Sequence, residues 1–244
     1  MTKTSFFKWV WMGLIATGCN QTSEPNPQPT QTRQVSAPQA PKPPSKLEQL
    51  LIDSGLVDIQ NHIPGIRVDL KYSTLDNFVH KDLYGELDKC YLRPEAAQKL
   101  KRAQALLQTM HPDYSLVVFD GARPHHIQKA MWDSLDIPFK RNYLAPPWEG
   151  SVHNYGYAVD LSIVDGTGKE LDMGTPFDFF GPESQPKEEP RMLKSGKLDS
   201  TQISNRKLLR KVMREAGFLD IQTEWWHFNA IGSTTVKKKF SRIP

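Results

Sequence analysis

Two hydrophobic periods recur along the chain and predict its first elements. Apolar and polar residues alternate between residues 66 and 72, which is the pattern of a strand with one buried face. From Pro94 onward, apolar residues recur instead every three to four positions, and proline is favoured in the first turn of a helix. This second pattern predicts a long helix whose buried face carries Ala96, Leu100, Ala103, Leu107 and Met110.

Shorter signals predict further elements. Ser45 with Glu48 is a capping box, which predicts a helix through Ile52. The apolar run 116–119 predicts a short buried strand, and a helix is expected over residues 125–135.

The C-terminal third predicts one more helix and strand. Ser204 is expected to cap the last helix, which stops at Gly217 and buries Leu208, Leu209, Val212 and Met213. Residues 218–228 then predict a strand and a turn. Strands that pair across the chain, with helices packed mainly on one side, predict an α+β domain built on an antiparallel sheet.

Residues 1–19 have the pattern of a secretory signal. Lys3 and Lys8 give a basic start, and the apolar run 9–17 is too short to span a bilayer. The Gly-Cys pair that ends the stretch resembles a bacterial lipobox, in which Cys19 is acylated and becomes the mature N-terminus. Ordinary cleavage nearby, with an unmodified Cys19, is the alternative.

Residues 20–45 hold seven of the nineteen prolines and almost no apolar residues. Because such a composition cannot bury a core, we expect a disordered, partly polyproline tether that holds a domain off a membrane. A linker without a spatial role is the alternative. Asn20 after Cys19 is not acidic, which favours an outer membrane if the cell has one. The expected location is the cell envelope, lipid-anchored on the periplasmic side.

Residues 46–244 are enough for one domain with a substantial core. If Cys19 carries lipid, Cys90 has no partner and the exported protein has no internal disulfide. The formal net charge of +4 is small, and the run Lys237-Lys238-Lys239 accounts for much of it. Such a cluster is typical of a solvated face, so no nucleic-acid partner is expected.

The stretch 151–160 carries two candidate metal ligands, His153 and Asp160. In one unbroken strand, positions an odd number apart point to opposite faces, and residues 159–164 have the β-branched composition of a strand. We therefore expect His153 to end one piece of backbone, Gly156 to turn it, and Asp160 to begin a buried strand. A surface histidine and a turn-capping aspartate are the alternative.

A second stretch, residues 224–228, completes the set of protein ligands that a catalytic zinc needs. Such a zinc usually has three protein ligands and one open position for water. Two imidazoles and one carboxylate are supplied by His153, Asp160 and His227. Glu224, three residues before His227, can act as general base and then pass its proton to the leaving amine.

Arg123 lies in an Asp-Gly-x-Arg-Pro turn at the end of a buried strand, where loops often carry function. A fixed guanidinium there can stabilise the oxyanion that develops when water attacks a carbonyl. A salt bridge to Asp120 is the alternative. Trp225 and Trp226 can wall the site, although core packing is the simpler explanation for both.

These motifs together resemble the D-alanyl-D-alanine dipeptidases, within the zinc peptidases that include D,D-carboxypeptidases and the hedgehog signalling domain. The site motifs are Ser151-x-His153-x-x-Gly156-x-Ala158-x-Asp160 and Glu224-Trp225-Trp226-His227. Four other segments are similar to that family in order, namely residues 69–78, 83–85, 120–124 and 173–180. The resemblance covers residues 50–228, and the combination of motifs is highly specific for dipeptidases.

The resemblance implies a hedgehog-like fold with a zinc site on the sheet and one Zn²⁺ per chain. It implies that the metal is held by His153, Asp160 and His227. Glu224 is then the base and proton donor, and Arg123 stabilises the transition state. The resemblance also implies that Ser151 helps to hold the substrate, although Ser151 could merely cap the turn.

Two departures from the family pattern bear on the substrate pocket. The family usually has Ser-His after its Phe-Asp-x-Phe run, whereas this chain has Ser184-Gln185. Beyond Phe228, the family's Pro- and Tyr-rich ending is replaced by Asn229-Ala230-Ile231-Gly232 and a basic tail. Both departures are outside the predicted zinc ligands, so we expect them to bear on the edge of the substrate pocket more than on the chemistry. We expect both to contact the segments that close the amino side of the pocket at most indirectly.

The predicted function is zinc-dependent hydrolysis of the dipeptide D-Ala-D-Ala to two D-alanines in the bacterial cell envelope. One alternative is a peptidoglycan D,D-carboxypeptidase or endopeptidase with the same metal chemistry on longer chains. Another is a non-catalytic, zinc-containing envelope binding module. Glu224 and Arg123 argue against the module, because a binder needs neither a base nor an oxyanion partner. Residues 72–84 and 177–184 resemble the segments that close the amino side of the site in dipeptidases.

Overall fold

The computed structural model describes residues 43–135 and 143–244, and Pro43–Pro244 belong to one compact unit. The predicted signal over residues 1–19, the acylated Cys19 and all of the predicted tether before Pro43 lie outside the described residues. Among the residues that are described, none of the helices is both long and apolar enough to cross a membrane.

A five-stranded sheet forms the centre of the domain. Its strands, in spatial order, are β2 (Arg67–Val68), β4 (Ser115–Asp120), β5 (Ala158–Val164), β7 (His227–Asn229) and β6 (Leu219–Asp220). A separate two-stranded sheet pairs β1 (Val57–Asp58) with β3 (Tyr91–Leu92). All pairs are antiparallel except β2 with β4, which is parallel. The predicted α+β class is correct, but the main sheet is mixed, and the prediction of a wholly antiparallel sheet was wrong.

The described part of the chain also contains seven α-helices. They are α1 (Lys46–Asp53), α2 (Ile59–His62), α3 (Pro94–Met110), α4 (His125–Asp133), α5 (Glu189–Lys194), α6 (Ser200–Glu215) and α7 (Ser233–Lys239). Short 3₁₀ turns cover Lys71–Ser73, Val152–Tyr155, Pro182–Ser184 and Pro186–Glu188.

The two faces of the central strands have different roles. Leu116 pairs with Ile163 and Val118 with Leu161, so these side chains share one face and join the main core with α3 and α6. The other face carries Val117, Phe119 and Val164, a smaller apolar cluster against which Phe177 packs. Asp160 lies on this second face, because it alternates in phase with Val164.

Several predicted elements are confirmed. The Ser45 Oγ accepts from the Glu48 N–H at 3.1 Å at the start of α1. The long helix α3 begins at Pro94 as predicted, and Ala96, Leu100, Ala103 and Leu107 are fully buried on it, whereas Met110 in its last turn is exposed.

The alternating segment 66–72 forms much less strand than its pattern predicts. Only Arg67–Val68 is strand, and a 3₁₀ turn follows over Lys71–Ser73. The turn places the Tyr72 ring between those of Phe78, Tyr84 and Phe177, at centroid distances of 6.1, 5.9 and 6.1 Å. Tyr72 is therefore buried by aromatic packing rather than by a longer strand.

The predicted cap of α6 was also wrong. Asp199, not Ser204, caps the helix. Its carboxylate accepts from the Gln202 N–H at 2.8 Å, and Gln202 Oε1 accepts from the Asp199 N–H at 2.9 Å. Ser204 lies within the first turns and bonds back to the Ser200 carbonyl at 2.7 Å. Nor is α6 the last helix, because α7 follows it.

Candidate active site

His153 is presented by a tightly capped 3₁₀ turn. Ser151 caps this turn, accepting from the His153 N–H at 3.4 Å, and its own N–H donates to the Asn154 side chain at 2.7 Å. Gly156 ends the turn at φ 75°, in the left-handed region, and a Cβ there would lie 2.6 Å from Leu56. The expected break between His153 and the strand of Asp160 is confirmed.

Asp160 and His227 are brought together by strand pairing. They are direct partners in the antiparallel register of β5 and β7, so both side chains rise from the same face of the sheet. The His153 ring reaches them from the 3₁₀ turn, and its centroid is 4.9 Å from that of His227. Two ligand candidates are thus fixed by the sheet and the third by a turn beside it.

The three side chains converge on one point. One ligand atom from each of His153, Asp160 and His227 lies within 4.8 Å of the others, and all three residues are buried. The Asp160 carboxylate is 2.9 Å from His227 Nδ1 and 3.3 Å from His153 Nε2, and the two ring nitrogens are 3.1 Å apart. This is the spacing of a mononuclear metal site.

The outer nitrogen of each imidazole has an acceptor that sets its tautomer. His153 Nδ1 donates to the Gly121 carbonyl at 2.7 Å, and His227 Nε2 donates to Asn229 Oδ1 at 3.0 Å. The inner nitrogens, His153 Nε2 and His227 Nδ1, are then left with lone pairs directed at the common point. Two lone pairs and a carboxylate held this closely fit a bound cation.

The carboxyl of Asp160 is held ionised. Burial opposes its ionisation, but the charge and hydrogen bonds that His153 and His227 supply when protonated outweigh burial and lower the Asp160 pKa well below its usual range, and a cation bound between the lone pairs would act in the same direction. Two nitrogens and one carboxylate oxygen form a donor set suited to zinc, and three protein ligands leave a position open.

Glu224 lies beside the cluster without joining it. Its Oε2 is 4.0 Å from His227 Nδ1, and its side chain lines the same cavity. Burial raises the Glu224 pKa to about 8, a value suited to accepting and releasing a proton near neutrality. Its position fits an acid–base group rather than a ligand.

Arg123 makes the salt bridge that the sequence left as an alternative. Its Nε and Nη2 donate to Asp120 Oδ2 at 2.9 and 2.5 Å, and its Nη1 donates to Gln128 Oε1 at 3.0 Å. Tyr84 donates to the other Asp120 oxygen at 2.6 Å. The guanidinium still lines the cavity, with its Nη2 3.7 Å from Asp160, so the salt bridge fixes Arg123 at the site.

The two tryptophans next to Glu224 lie in different environments. Trp226 lines the cavity, whereas Trp225 is 1% exposed, donates to Thr175 Oγ1 at 2.8 Å and packs in the core. Ser151 both caps the 3₁₀ turn and lines the cavity.

Asp178 is a site residue to which sequence reasoning gave no role. It has a left-handed φ of 59°, which is strained for a residue other than glycine. Its Oδ2 accepts from the Tyr72 hydroxyl at 2.7 Å, and burial raises its pKa to about 8. Both residues line the cavity. The one signal in the sequence is an acid set among aromatics, in Phe177-Asp178-Phe179-Phe180.

The cavity above this cluster has a volume of about 340 Å³. Its apolar rim includes Phe78, Tyr143 and Phe180, whose rings pack at centroid distances of 5.3 and 5.4 Å. Gln185 donates to the Tyr143 hydroxyl at 2.9 Å, so this departure from the family pattern supports the cavity wall.

The altered C-terminus reaches the cavity directly. Ser233 and Lys237 of α7 line it, which corrects the expectation that this ending acts at most indirectly. Lys237, Lys238 and Lys239 are all exposed, in agreement with the predicted solvated face, and Lys237 also lines the cavity.

The two imidazoles and the carboxylate, with a glutamate and an arginine beside them, fit the site of a metallohydrolase. Comparisons with known proteins narrow the class. The family described as D-ala-D-ala dipeptidase matches residues 53–244. The chain belongs to this family and is a metallopeptidase.

Curated relatives agree with the family. A D-alanyl-D-alanine dipeptidase of Escherichia coli K12 is 32% identical, over 71% of this chain and 83% of its own. A dipeptidase of the same description from Enterococcus faecium is 27% identical over 72% and 92%, and one from Enterococcus faecalis is 28% identical over 74% and 93%. A solved LD-carboxypeptidase structure, LdcB, covers 76% of this chain and 72% of its own at 20% identity, with a TM-score of only 0.43.

Proposed function

We propose that the protein is a zinc-dependent dipeptidase that hydrolyses D-Ala-D-Ala to two D-alanines. The observation that carries the proposal is the convergence of His153 Nε2, His227 Nδ1 and the Asp160 carboxylate beside a non-ligand glutamate. The name and high coverage of the curated relatives support the substrate.

The three converging side chains would hold one zinc ion. When bound there, zinc acts as a Lewis acid that makes water more acidic and polarises a peptide carbonyl. The acceptors Gly121 O and Asn229 Oδ1 keep the outer imidazole nitrogens protonated, so the inner nitrogens remain available as ligands.

Glu224 would move the proton. Its Oε2 takes a proton from the attacking water, and the same oxygen then delivers that proton to the nitrogen of the leaving D-alanine. Burial in the cavity gives Glu224 a pKa of about 8, so both directions of transfer cost little near neutral pH.

Arg123 would stabilise the negative charge that develops on the carbonyl oxygen. Asp120 and Gln128 use three of the guanidinium's five N–H groups, which leaves two for the reacting peptide. Because Asp120 is itself held by Tyr84, these remaining donors are already oriented before the substrate enters.

Asp178 would bind the free ammonium of the dipeptide, whose positive charge would favour the ionised carboxylate over the protonated form that burial favours in the free site. It faces the same cavity as Glu224, and the Tyr72 hydroxyl holds its carboxylate in place. The aromatic rim formed by Phe78, Tyr143 and Phe180 restricts the cavity's volume. A charged amino end is thereby favoured over a longer peptide, because a blocked amine cannot form an ion pair with the Asp178 carboxylate.

A substrate panel tests the proposal. We expect the zinc-loaded protein to hydrolyse D-Ala-D-Ala and to discriminate strongly against L-Ala-L-Ala, N-acetyl-D-Ala-D-Ala and a peptidoglycan pentapeptide. Equal kcat/KM for the free and N-acetylated dipeptides would contradict the dipeptidase and favour the D,D-carboxypeptidase or endopeptidase. Zinc binding without hydrolysis of any of the four peptides would favour the non-catalytic module.

We further propose that the protein is anchored in the cell envelope through lipid on Cys19. The basis is the sequence pattern of residues 1–19, with its basic start, short apolar run and small residues before the cysteine. Intact mass of the membrane-extracted protein, measured beside a Cys19→Ala variant, tests the anchor. A freely soluble mature chain with an unmodified Cys19 would contradict it.

A further inference from the structure

The last thirteen residues, Gly232–Pro244, are built into the domain, and we call them the C-terminal segment. Within it, Val236 is 0% and Ile243 1% exposed. The Phe240 ring packs on Tyr157 at 4.7 Å. Three apolar anchors, one of them within α7 and two just after it, fix the position of this helix.

The end of the segment is also tied to the loop that forms one cavity wall. Arg242 donates through Nη1 to the Pro147 carbonyl and through Nη2 to the carbonyls of Trp148 and Glu149, each at 2.9 Å. The Ile243 N–H donates to the Asn154 carbonyl at 2.7 Å, within the 3₁₀ turn that carries His153. The C-terminal segment is therefore held rigidly against the ligand-bearing turn.

Two side chains of this anchored helix line the catalytic cavity. Ser233 and Lys237 are four residues apart, which places both on one face of α7. Val236, the neighbour of Lys237, is turned into the core, so the helix cannot rotate to withdraw Lys237 from the cavity without exposing Val236.

The positive charges that line the cavity differ in whether an anionic side chain already pairs with them. Among residues 43–135 and 143–244, two cationic side chains other than histidine line it, Arg123 and Lys237. Asp120 already pairs with the guanidinium of Arg123 at 2.5 Å. The ammonium of Lys237 makes no hydrogen bond or ion pair with any residue in the ranges 43–135 and 143–244. Lys237 is thus a cation at the cavity without an ion-pair partner among the described residues.

We infer that Lys237 binds the free carboxylate of the substrate and makes the enzyme selective for peptides that end in one. The inference rests on the proposed peptidase function and adds a recognition residue from the part of the chain that departs from the family pattern. A dipeptide has an ammonium and a carboxylate at opposite ends, so it needs an anion and a cation across the cavity. Asp178 supplies the first and Lys237 the second.

The expected effect follows from the strength of a hydrogen-bonded ion pair. A hydrogen bond to a charged group contributes about 1.5–3 kcal/mol, which corresponds to roughly 10- to 100-fold in binding. Lys237 is at the exposed rim, where solvent weakens the interaction, so we expect the lower end of this range. Since the substrate carboxylate does not react, the loss should fall on KM and leave kcat nearly unchanged.

The test compares Lys237→Met with two matched variants on two substrates. Lys238→Met removes the same charge from the next position of α7, which does not line the cavity, and Lys237→Arg keeps the charge. The substrates are D-Ala-D-Ala and its C-terminal amide. We expect Lys237→Met to raise KM about tenfold for the acid and less than about twofold for the amide. Lys238→Met should change neither, and Lys237→Arg should restore most of the affinity.

An equal effect of Lys237→Met on acid and amide, or no effect on either, would overturn the inference. Failure of the proposed function looks different, because the wild-type protein would then not cleave D-Ala-D-Ala. If it cleaved a longer peptide instead, the same acid-to-amide comparison on that peptide would still decide the role of Lys237. If no peptide were cleaved, titration calorimetry of wild type and Lys237→Met with D-Ala-D-Ala and its amide would decide the role of Lys237. Equal affinities of the two proteins for D-Ala-D-Ala would overturn the inference.

Discussion

The floor and the rim of the cavity are built in different ways. The floor is formed by Asp160 and His227, partners on adjacent strands, and by His153 on a capped turn. The rim is formed by loops and by a short helix, which contribute Asp178 and Lys237. Rigid strands fix the atoms where chemistry occurs, whereas the rim determines what can enter. Changes in the floor should therefore act on kcat, and changes in the rim on KM.

The largest effect should come from Glu224→Ala. Loss of a general base or acid typically lowers the rate about 10²- to 10⁴-fold. Because Glu224 is proposed as a base rather than a ligand, the variant should still bind one zinc per chain. Metal content and kcat measured on the same sample check both points, with the exposed Glu215→Ala as the control. Loss of zinc from Glu224→Ala would reassign Glu224 to the metal.

Arg123→Lys should be the next most damaging change. Removal of an oxyanion donor costs about 10²-fold in kcat, and lysine lacks the planar fork that Asp120 and Gln128 hold in place. Arg102→Lys is a suitable control, because Arg102 bonds the Ala216 carbonyl away from the cavity. A near-normal kcat in Arg123→Lys would reduce the role of Arg123 to its salt bridge.

A rim variant, Asp178→Asn, should separate the two regions most clearly. Asparagine can still accept from Tyr72 but cannot pair with an ammonium, so we expect KM to rise roughly 10-fold while kcat changes little. Steady-state kinetics with Asp133→Asn, an exposed aspartate on α4, provide the comparison. A fall in kcat with KM unchanged would place Asp178 with the floor.

The smallest effect concerns stability. Burial raises the Asp178 pKa from 3.8 to about 8, so between these values the folded state keeps a proton that the unfolded chain releases. This group therefore makes the wild type less stable as pH rises through that window. Asparagine does not titrate, so the Tm advantage of Asp178→Asn should grow from pH 4 to pH 8. About four pKa units correspond to about 5 kcal/mol, or roughly 10–20 °C in a domain of this size, and the partial solvent exposure of Asp178 reduces the expected change to several degrees. Thermal unfolding at several pH values measures it, and a constant difference would refute the raised pKa.

The floor was more predictable from the sequence than the rim for physical reasons. The spacing of His153, Gly156 and Asp160 encodes a turn before a strand, and Glu224 with His227 form a compact motif, so local rules find all five residues. The role of Asp178 depends on Tyr72, 106 residues earlier, and on a left-handed backbone that no pattern reveals.

Two other features were hidden from the sequence for the same reason. Lys237 lies in a run of three lysines, which is typical of a solvated face. Only the burial of Val236 and Ile243 places it at the cavity. The parallel pairing of β2 with β4 rests on two residues, too few for a sequence pattern to fix strand direction.

Zinc reconstitution tests the central claim most directly. The protein is stripped with a chelator, zinc is added back in known steps, and D-Ala-D-Ala hydrolysis is followed at each step. We predict no activity in the stripped protein and a linear recovery that breaks at one zinc per chain. An Asp160→Ala variant should not recover at the same stoichiometry. Full hydrolysis by the stripped protein, or recovery that needs a second equivalent, would contradict a single metal on His153, Asp160 and His227.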